Sequence, residues 1–370
     1  MVNRKNDCFL LSAIQFIRAL PTCHRKLLNF SGATSPIPPK GKELTWAVSR
    51  TLRALQEDGA LKNGKIEPLQ PDELVQTFFS EFKALFVDGD QDDTANAVGS
   101  ILDRIHDETL DKESGSSLVD SARGASRTCY LCQSCKRTTG GAATPRWVFP
   151  LSVPGGNSPA TGWDVPYLVK NTLRPSPEPM DKPCDACQQE RVRREMTSSG
   201  KTTPADQHEI ERGIIYKKTE TLTSVEEWTT IPDELVLSMT RFKISPRTGR
   251  AVKSSHHLAA DLSIDKAMFG GNTTGTAKLV AVSSHHGQGG QRGHWTTTCK
   301  LERDGGGEGS TSDNAWVTFN DDSASVKVVQ PQKRKTRKHS GKSNLVLPAS
   351  KTATILGYVT TATPRGNVKR

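Results

Sequence analysis

No run of 18 apolar residues occurs in the 370-residue chain, which excludes a membrane-spanning helix of ordinary length. A secretory leader is missing as well. Arg4 and Lys5 precede Phe9-Leu10-Leu11, but Asp7, Gln15 and Arg18 interrupt the apolar stretch and no small-residue cleavage site follows. With neither signal, an intracellular protein is expected, in the cytoplasm, the nucleus or both. Internal repeats are absent, which excludes a repeat architecture. Only 34% of residues are hydrophobic and the mean hydropathy is -0.54, as for a folded body carrying long polar insertions. Such insertions fall near 245–257, 301–314 and 330–350. The net charge is +10, and residues 333–342 hold six Lys or Arg with no acid. That tract reads equally as a nuclear-import or polyanion-binding segment and as a solvated loop. No aromatic stacking platform or groove-reading motif accompanies it, so nucleic-acid binding is not expected.

Helical spacing dominates the first third. Phe9, Leu10, Ala13, Ile14, Ile17 and Leu20 recur at three- and four-residue intervals over 7–20, with Pro21 as a stop. Leu44, Val48, Leu52 and Leu55 mark a second helix over 44–57. Pro71-Asp72-Glu73 opens a third that reaches about Phe86. Val98, Ile101, Leu102 and Ile105 line a fourth over 91–109. Residues 111–128, rich in Ser, Gly and Asp, are expected to be mobile. The Pro/Gly/Ser-rich segment 151–183 contains a short ordered element at Tyr167-Leu168-Val169. From about 209 onward strand patterns take over, at 220–222, 235–239, 278–282, 295–300, 315–319 and 353–359. Helices first and strands afterward indicate an α+β fold.

Eight cysteines are present, at 8, 23, 129, 132, 135, 184, 187 and 299. Four form Cys132-Gln133-Ser134-Cys135 and Cys184-Asp185-Ala186-Cys187. Two such knuckles complete a closed tetrahedral site of four thiolates, suited to structural Zn²⁺. The 48 residues between them exceed the usual spacing, and Cys129 is either a substitute ligand or a plain buried thiol. Dithiol redox chemistry is the weaker alternative. Cys8 opens the first helix, where the positive end of the helix dipole favours a thiolate. Asn6 can aim its amide at a developing oxyanion, as can backbone N–H groups of the first turn. The ordinary reading of a single cysteine is a buried structural residue. Far downstream, His294 follows a glycine-rich loop and begins a strand. His285 and His286 are its rivals, read as surface residues on the far side of that loop. Asn320 or Asp321, just after Trp316 and Phe319, could accept a hydrogen bond from the histidine Nδ1–H. Cysteine, histidine and Asn/Asp in this order are a nucleophile, its base and the group that orients the base.

Together these segments resemble the ubiquitin-specific protease family of deubiquitinating enzymes. Asn6-Asp7-Cys8-Phe9-Leu10-Leu11-Ser12-Ala13-Ile14-Gln15 is similar to the family's cysteine box. Gln91-Asp92-Asp93 leading to Leu102-Asp103-Arg104-Ile105-His106 is similar to its second box, and the two Cys-x-x-Cys pairs to its finger knuckles. Ile231-Pro232-Asp233-Glu234-Leu235 through Arg241-Phe242 resembles a palm strand. Val282-Ser283-Ser284-His285-His286 through Gly293-His294-Trp295 resembles the histidine box, Trp316 through Asp321 the box after it, and Thr354-Ile355-Leu356-Gly357-Tyr358 the closing strand. Seven segments stand in the family's order.

The resemblance implies one papain-like α+β catalytic domain. Its thumb would span 1–128, its zinc-bearing fingers 129–230, and its palm 231–370 with the basic insertion 330–350. It implies Cys8 as nucleophile, His294 as general base and Asn320 as the orienting residue, with Asp321 sharing or replacing that role. Asn6 would stabilise the oxyanion. Asp93 matches an acid that meets an arginine of ubiquitin's C-terminal tail. Cys132, Cys135, Cys184 and Cys187 would hold structural zinc. The partners implied are ubiquitin and ubiquitinated proteins, and the reaction is hydrolysis of the isopeptide bond after ubiquitin's terminal glycine. The alternative is a ubiquitin-binding relative with weak or no turnover. Three departures point toward it. Lys5 stands where the family has Gly, Asp7 where it has Thr, and Asn96 where it has Glu. Separately, only seven residues precede Cys8 where the family has a longer lead-in strand, as expected of a clipped or mis-predicted reading frame. An acid beside the thiol opposes the thiolate.

Overall fold

The computed structural model describes residues 1, 3, 6–57, 69–90, 92–154, 163–175, 180–182, 184–200, 203–215, 220–244, 251–253, 258–270, 274–287, 293–300, 316–320, 327–329, 332–333, 345–346 and 352–361. The chain divides into two compact units. One comprises Met1–Gly124, Arg146–Asn171 and Ile231–Arg370; the other comprises Ala125–Pro145 and Thr172–Thr230.

The first unit begins with five helices: α1 (Cys8–Arg18), α2 (Pro21–Leu28), α3 (Glu43–Glu57), α4 (Asp72–Glu81) and α5 (Thr94–Thr109). Every residue of α1 from 8 to 17 is buried. A helix apolar all round belongs inside a core. Phe9 sits among the rings of Phe78, Phe79 and Phe86. Pro21 does end α1, but it also occupies the first turn of α2. Proline lacks the N–H that position would waste, so one residue serves as stop and start. The third expected helix is shorter than its pattern: α4 ends at Glu81 and turns carry the chain through Phe82–Phe86.

An eight-stranded sheet completes this unit. Its order is Lys327–Val329, Trp316–Phe319, His294–Lys300, Thr276–His286, Ala353–Thr361, Glu234–Thr240 and Phe149–Ser152, with Ser263–Asp265 beside Thr276–His286. The pairings are antiparallel except that of 149–152 with 234–240. Helix α1 lies on this sheet. At Gly357 a Cβ would come within 3.0 Å of the Phe16 ring, so glycine is what lets helix and sheet approach. The short helix α6 (Val165–Thr172) contains the ordered element expected at 167–169.

Two buried carboxylates close this unit over long sequence distances. Glu234 accepts from the N–H groups of Thr22 (2.5 Å) and Cys23 (3.0 Å) and from the Ser121 hydroxyl (2.6 Å), capping α2. Glu108 accepts from Leu44 N (3.2 Å), Thr45 N (2.7 Å) and the Thr45 hydroxyl (2.6 Å), capping α3. Each satisfies first-turn N–H groups that have no intrahelical partner.

The expectation of a mobile 111–128 is overturned. Ser117 donates through N and Oγ to Asp120 at 2.7 Å each, its Oγ lies 2.9 Å from His106 Nδ1, and Val119 and Ala122 are fully buried. The polar composition encodes local side-chain bonds that tie the segment down, which composition alone does not separate from looseness.

The second unit holds a sheet in the order Thr138–Gly140, Gly124–Cys132, Glu220–Thr230, Met180–Lys182, with Thr144–Arg146 also on 124–132. Strands therefore begin well before 209. Helices α7 (Asp185–Ser199) and α8 (Pro204–Ile215) lie between its strands, and α8 occupies the start of the stretch expected to favour strands. The basic tract falls almost wholly outside the described residues.

The Glu234 cap yields a measurable consequence. Glu234→Ala leaves three donors without their acceptor and should lower stability by about 2–4 kcal/mol. Glu234→Gln, which keeps an acceptor oxygen, should cost less. Urea midpoints of the two variants and the wild type make the comparison.

Candidate active site

Cys8 is the first residue of α1 and is 2% exposed. Asp7 is the N-cap residue, itself buried, and its side chain makes no capping bond to the helix. Its N–H donates to Asn3 Oδ1 at 3.1 Å. The amide of Asn6 donates to the Gly89 carbonyl at 2.6 Å, which ties the residue before the N-cap to the loop leading into α5. Thr94, the first residue of α5, donates through Oγ1 to the Phe9 carbonyl at 3.2 Å. Asp93 caps α5 by accepting from Ala95 N at 2.8 Å. Burial raises its carboxyl above the usual range, and the Ala95 N–H pulls the other way. Asn96 is exposed, with its amide on Asp92 Oδ1 at 3.1 Å.

His294 begins the 294–300 strand, and its Nε2 lies 2.7 Å from Asn320 Oδ1. An amide oxygen only accepts, so Nε2 carries the hydrogen and, in the neutral ring, Nδ1 carries the lone pair. The sequence reading assigns the Asn bond to Nδ1–H; the structure places it on the other nitrogen. Asn320 is the diagonal neighbour of His294. With Thr297 opposite Phe319, it lies two positions from the point facing His294, on the same side of the sheet. Asp321 lies outside the described residues, as do Lys5 and Gln91.

His286 stands directly opposite His294 in the ladder rather than on the far side of a loop, and its Nε2 lies 2.9 Å from Thr296 Oγ1. His285 is no surface residue. It is 2% exposed, its ring packs on Trp295 with centroids 4.8 Å apart, and its carbonyl accepts from Lys253 Nζ. A strand residue beside an exposed neighbour points to the opposite, buried face, and His286 is that exposed neighbour. The Cβ of any residue at 293 would meet His285 Nε2 at 2.1 Å, so only glycine passes the ring just before His294.

Helix α1 and the 294–300 strand run the same way. Ser12 bonds Thr297, and Cys299 Sγ donates to the Gln15 carbonyl at 3.4 Å. Cys8 lies one turn, about 6 Å, before Ser12. His294 lies three residues, about 10 Å, before Thr297. Both stand at the same end of the helix–strand pair.

In the second unit the four sulfurs of Cys132, Cys135, Cys184 and Cys187 lie within 4.8 Å of one another and could bind a metal. Cys132 and Cys187 are 3.6 Å apart, Cys135 and Cys184 3.8 Å. Four bonds of about 2.3 Å at tetrahedral angles place sulfurs about 3.8 Å apart. Burial opposes ionisation of Cys132, but the N–H groups of Cys135 and Ser134 together with the Cys184 and Cys187 thiols bring it down to about 6, while burial raises Cys184 and Cys187. Cys129 is outside the cluster: its Sγ donates to Glu227 at 3.3 Å, and it is a buried thiol.

The family model for ubiquitin carboxyl-terminal hydrolase matches residues 1–358. The chain belongs to that family. Among solved structures it is similar to the SAGA DUB module of Ubp8, Sgf11, Sus1 and Sgf73 bound to monoubiquitin. The TM-score is 0.65 and the identity 15%, over 98% of this chain and 68% of that one. The same module bound to ubiquitin aldehyde gives 0.63 and 14%, over 98% and 69%, and a yeast SAGA DUB module gives 0.63 and 14%, over 98% and 68%. At such identity the likeness is one of fold. A search of the curated proteins found no match. The α+β, papain-like fold is that of this hydrolase family, with a four-cysteine cluster consistent with a zinc finger. Among the described residues no helix is long and apolar enough to cross a membrane.

Sequence reasoning misread His285 as a surface residue and missed the hydroxyls of Ser12, Ser283 and Thr297. The available signals were Ser283 and Thr297 at buried strand positions and a serine inside an otherwise apolar helix. His285 also makes stability depend on pH. Burial first, then the charges of Lys253, His286 and His294, pushes its imidazole from 6.5 down to about 4. The unfolded chain takes up that proton near pH 6.5 and the folded chain only near 4. Stability therefore falls as pH drops through this window and is unaffected by this group above it. Urea midpoints from pH 7 to 4 should fall less steeply in His285→Gln than in the wild type.

Proposed function

We propose that the protein is a thiol-dependent deubiquitinase that hydrolyses the isopeptide bond after the C-terminal glycine of ubiquitin. The observation that carries this reading is the placement of Cys8 at a helix start beside the strand on which His294 is held by Asn320, in a chain of the ubiquitin carboxyl-terminal hydrolase family. In this reading 1–128 is the thumb, 129–230 the fingers apart from 146–171, whose strand 149–152 joins the palm sheet, and 231–370 the palm. Cys8 Sγ attacks the glycine carbonyl carbon while His294 Nδ1 holds the thiol proton. The first-turn N–H groups of α1 and the second N–H of the Asn6 amide face the oxyanion. His294 then protonates the departing lysine amine, the C–N bond breaks and a thioester remains. Water, giving its proton to Nδ1, hydrolyses the thioester and frees the thiol. Asn320 keeps Nε2 as the donor, which leaves Nδ1 as the base. Asp93 meets an arginine of the ubiquitin tail. The complexes of the similar modules with monoubiquitin and ubiquitin aldehyde support the choice of partner. Eight unbridged cysteines suit a reducing intracellular compartment.

The four clustered sulfurs fit Zn²⁺ by their spacing and donor type. Cys132, Cys135, Cys184 and Cys187 would hold it as a structural ion, since four thiolates leave no open coordination position.

A second reading, ubiquitin binding with little turnover, is favoured by Asp7 beside the nucleophile and by the Asn6 amide already engaged with Gly89. A ubiquitin-propargylamide probe separates the two. Covalent labelling lost in Cys8→Ala supports the hydrolase, and Asn320→Ala should slow labelling about 10- to 100-fold. Complex formation without labelling supports the second reading. Metal analysis addresses zinc. One equivalent per chain is expected, released in Cys184→Ser with loss of near-UV structure; metal-free protein that keeps its fold would overturn the assignment.

A further inference from the structure

Between α1 and the sheet lies a small cluster of buried hydroxyls with no counterpart elsewhere along that interface among the described residues. Ser12 Oγ is 2.9 Å from Ser283 Oγ and 2.5 Å from Thr297 Oγ1. Thr297 Oγ1 also donates to the Ser12 carbonyl at 3.0 Å. Ser283 Oγ also lies 3.4 Å from the Thr296 carbonyl, so three hydroxyl protons are shared among four contacts, and either oxygen can be the donor in the Ser12–Ser283 and Ser12–Thr297 pairs. Thr354 Oγ1 donates to the Ser283 carbonyl at 3.2 Å, which adds the 353–361 strand. All four residues are at most 4% exposed. Around them the contact is apolar, with Phe16, Ala281 and Ile355 in the same core.

We propose that Ser12, Ser283 and Thr297 form a positioning clasp that sets the register of the Cys8 helix on the His294 strand, and through it the sulfur–imidazole geometry. The inference rests on the catalytic roles given to Cys8 and His294. Apolar packing is non-directional and tolerates small slides and rotations. Hydroxyl bonds in a buried, low-dielectric site do not, because each broken one leaves a polar group unsatisfied. The clasp lies one helical turn from Cys8 and three strand residues from His294. A helix rotation or shift that broke it would move the sulfur away from the ring, and misplacement of about 1 Å costs on the order of 100-fold in rate.

The test uses the full chain and a fluorogenic ubiquitin C-terminal amide. Replacing the whole cluster by apolar groups of similar shape, Ser12→Ala with Ser283→Ala and Thr297→Val, leaves no hydroxyl stranded, so the melting temperature should hold. The expected result is a kcat about 10- to 100-fold lower, KM changed less than about twofold, and near-full recovery when Thr297→Ser replaces Thr297→Val in the single variants. The pH profile of iodoacetamide alkylation at Cys8, followed by peptide mass, should shift upward in the triple variant. A purely structural cluster would move neither the kcat–KM split nor that profile. A folded triple variant with wild-type kcat and an unshifted profile overturns the clasp. Should the triple variant fail to fold, Thr297→Val against Thr297→Ser decides by the same criteria. Cys8→Ala distinguishes the levels. If it is inactive while the clasp variants match the wild type, only the clasp falls; if it still turns over, the catalytic reading falls and the clasp with it.

Discussion

The burial of α1 on all sides is the constraint on which the rest of the first unit depends. A helix of eleven residues with no water-facing stripe must be enclosed by a sheet on one side and helices on the other. That enclosure brings the N-terminus of the chain onto strands formed almost 290 residues later. It also removes the freedom of the helix start to wander. The dipole, the first-turn N–H groups and the sulfur of Cys8 are then presented at one point. Gly357 is part of the same constraint, since a Cβ there would press on the Phe16 ring at 3.0 Å.

Enclosure alone leaves the surrounding helices free to pivot, and the two buried carboxylates remove that freedom. Glu108 and Glu234 each reach across the core to a helix start and accept several donors at once. A carboxylate at the positive end of a helix is stabilised by the dipole as well as by the bonds. Its desolvation is thereby offset, and each acid welds together segments 64 and 212 residues apart in sequence.

The second unit is held by a different balance of forces. Among the described residues its cluster around the cysteines contains Cys132, Cys184 and Leu222 as buried apolar members, with Tyr130, Cys135, Ala186 and Cys187 partly buried beside them. So small a cluster supplies little hydrophobic free energy, and small folds of this kind draw stability from a metal or another cross-link. The clustering of four sulfurs where apolar side chains are few follows the same logic. In the first unit the reverse holds: large aromatic and aliphatic side chains supply the core, and its cysteines are ordinary buried thiols or, at Cys8, the group at the helix start.

Much of this was legible in the chain itself. The period of 3.6 in 8–18, the alternating strands of the last third and the two Cys-x-x-Cys pairs are local signals, set by side chains a few residues apart. They determined the α+β class, the helix that bears Cys8 and the strand that begins at His294. What local signals could not carry was decided by partners distant in sequence. The ordering of 111–123 came from His106 and Asp120 around Ser117. The burial of His285 came from Trp295 across the ladder, and the choice of Nε2 over Nδ1 in His294 from where Asn320 lands on the neighbouring strand. The pairing of Ser12 with Ser283 and Thr297 required the helix already docked. Propensity and periodicity act over one or two turns and so define elements and faces; which buried polar atoms meet depends on register between elements, and register exists only once the chain has closed on itself.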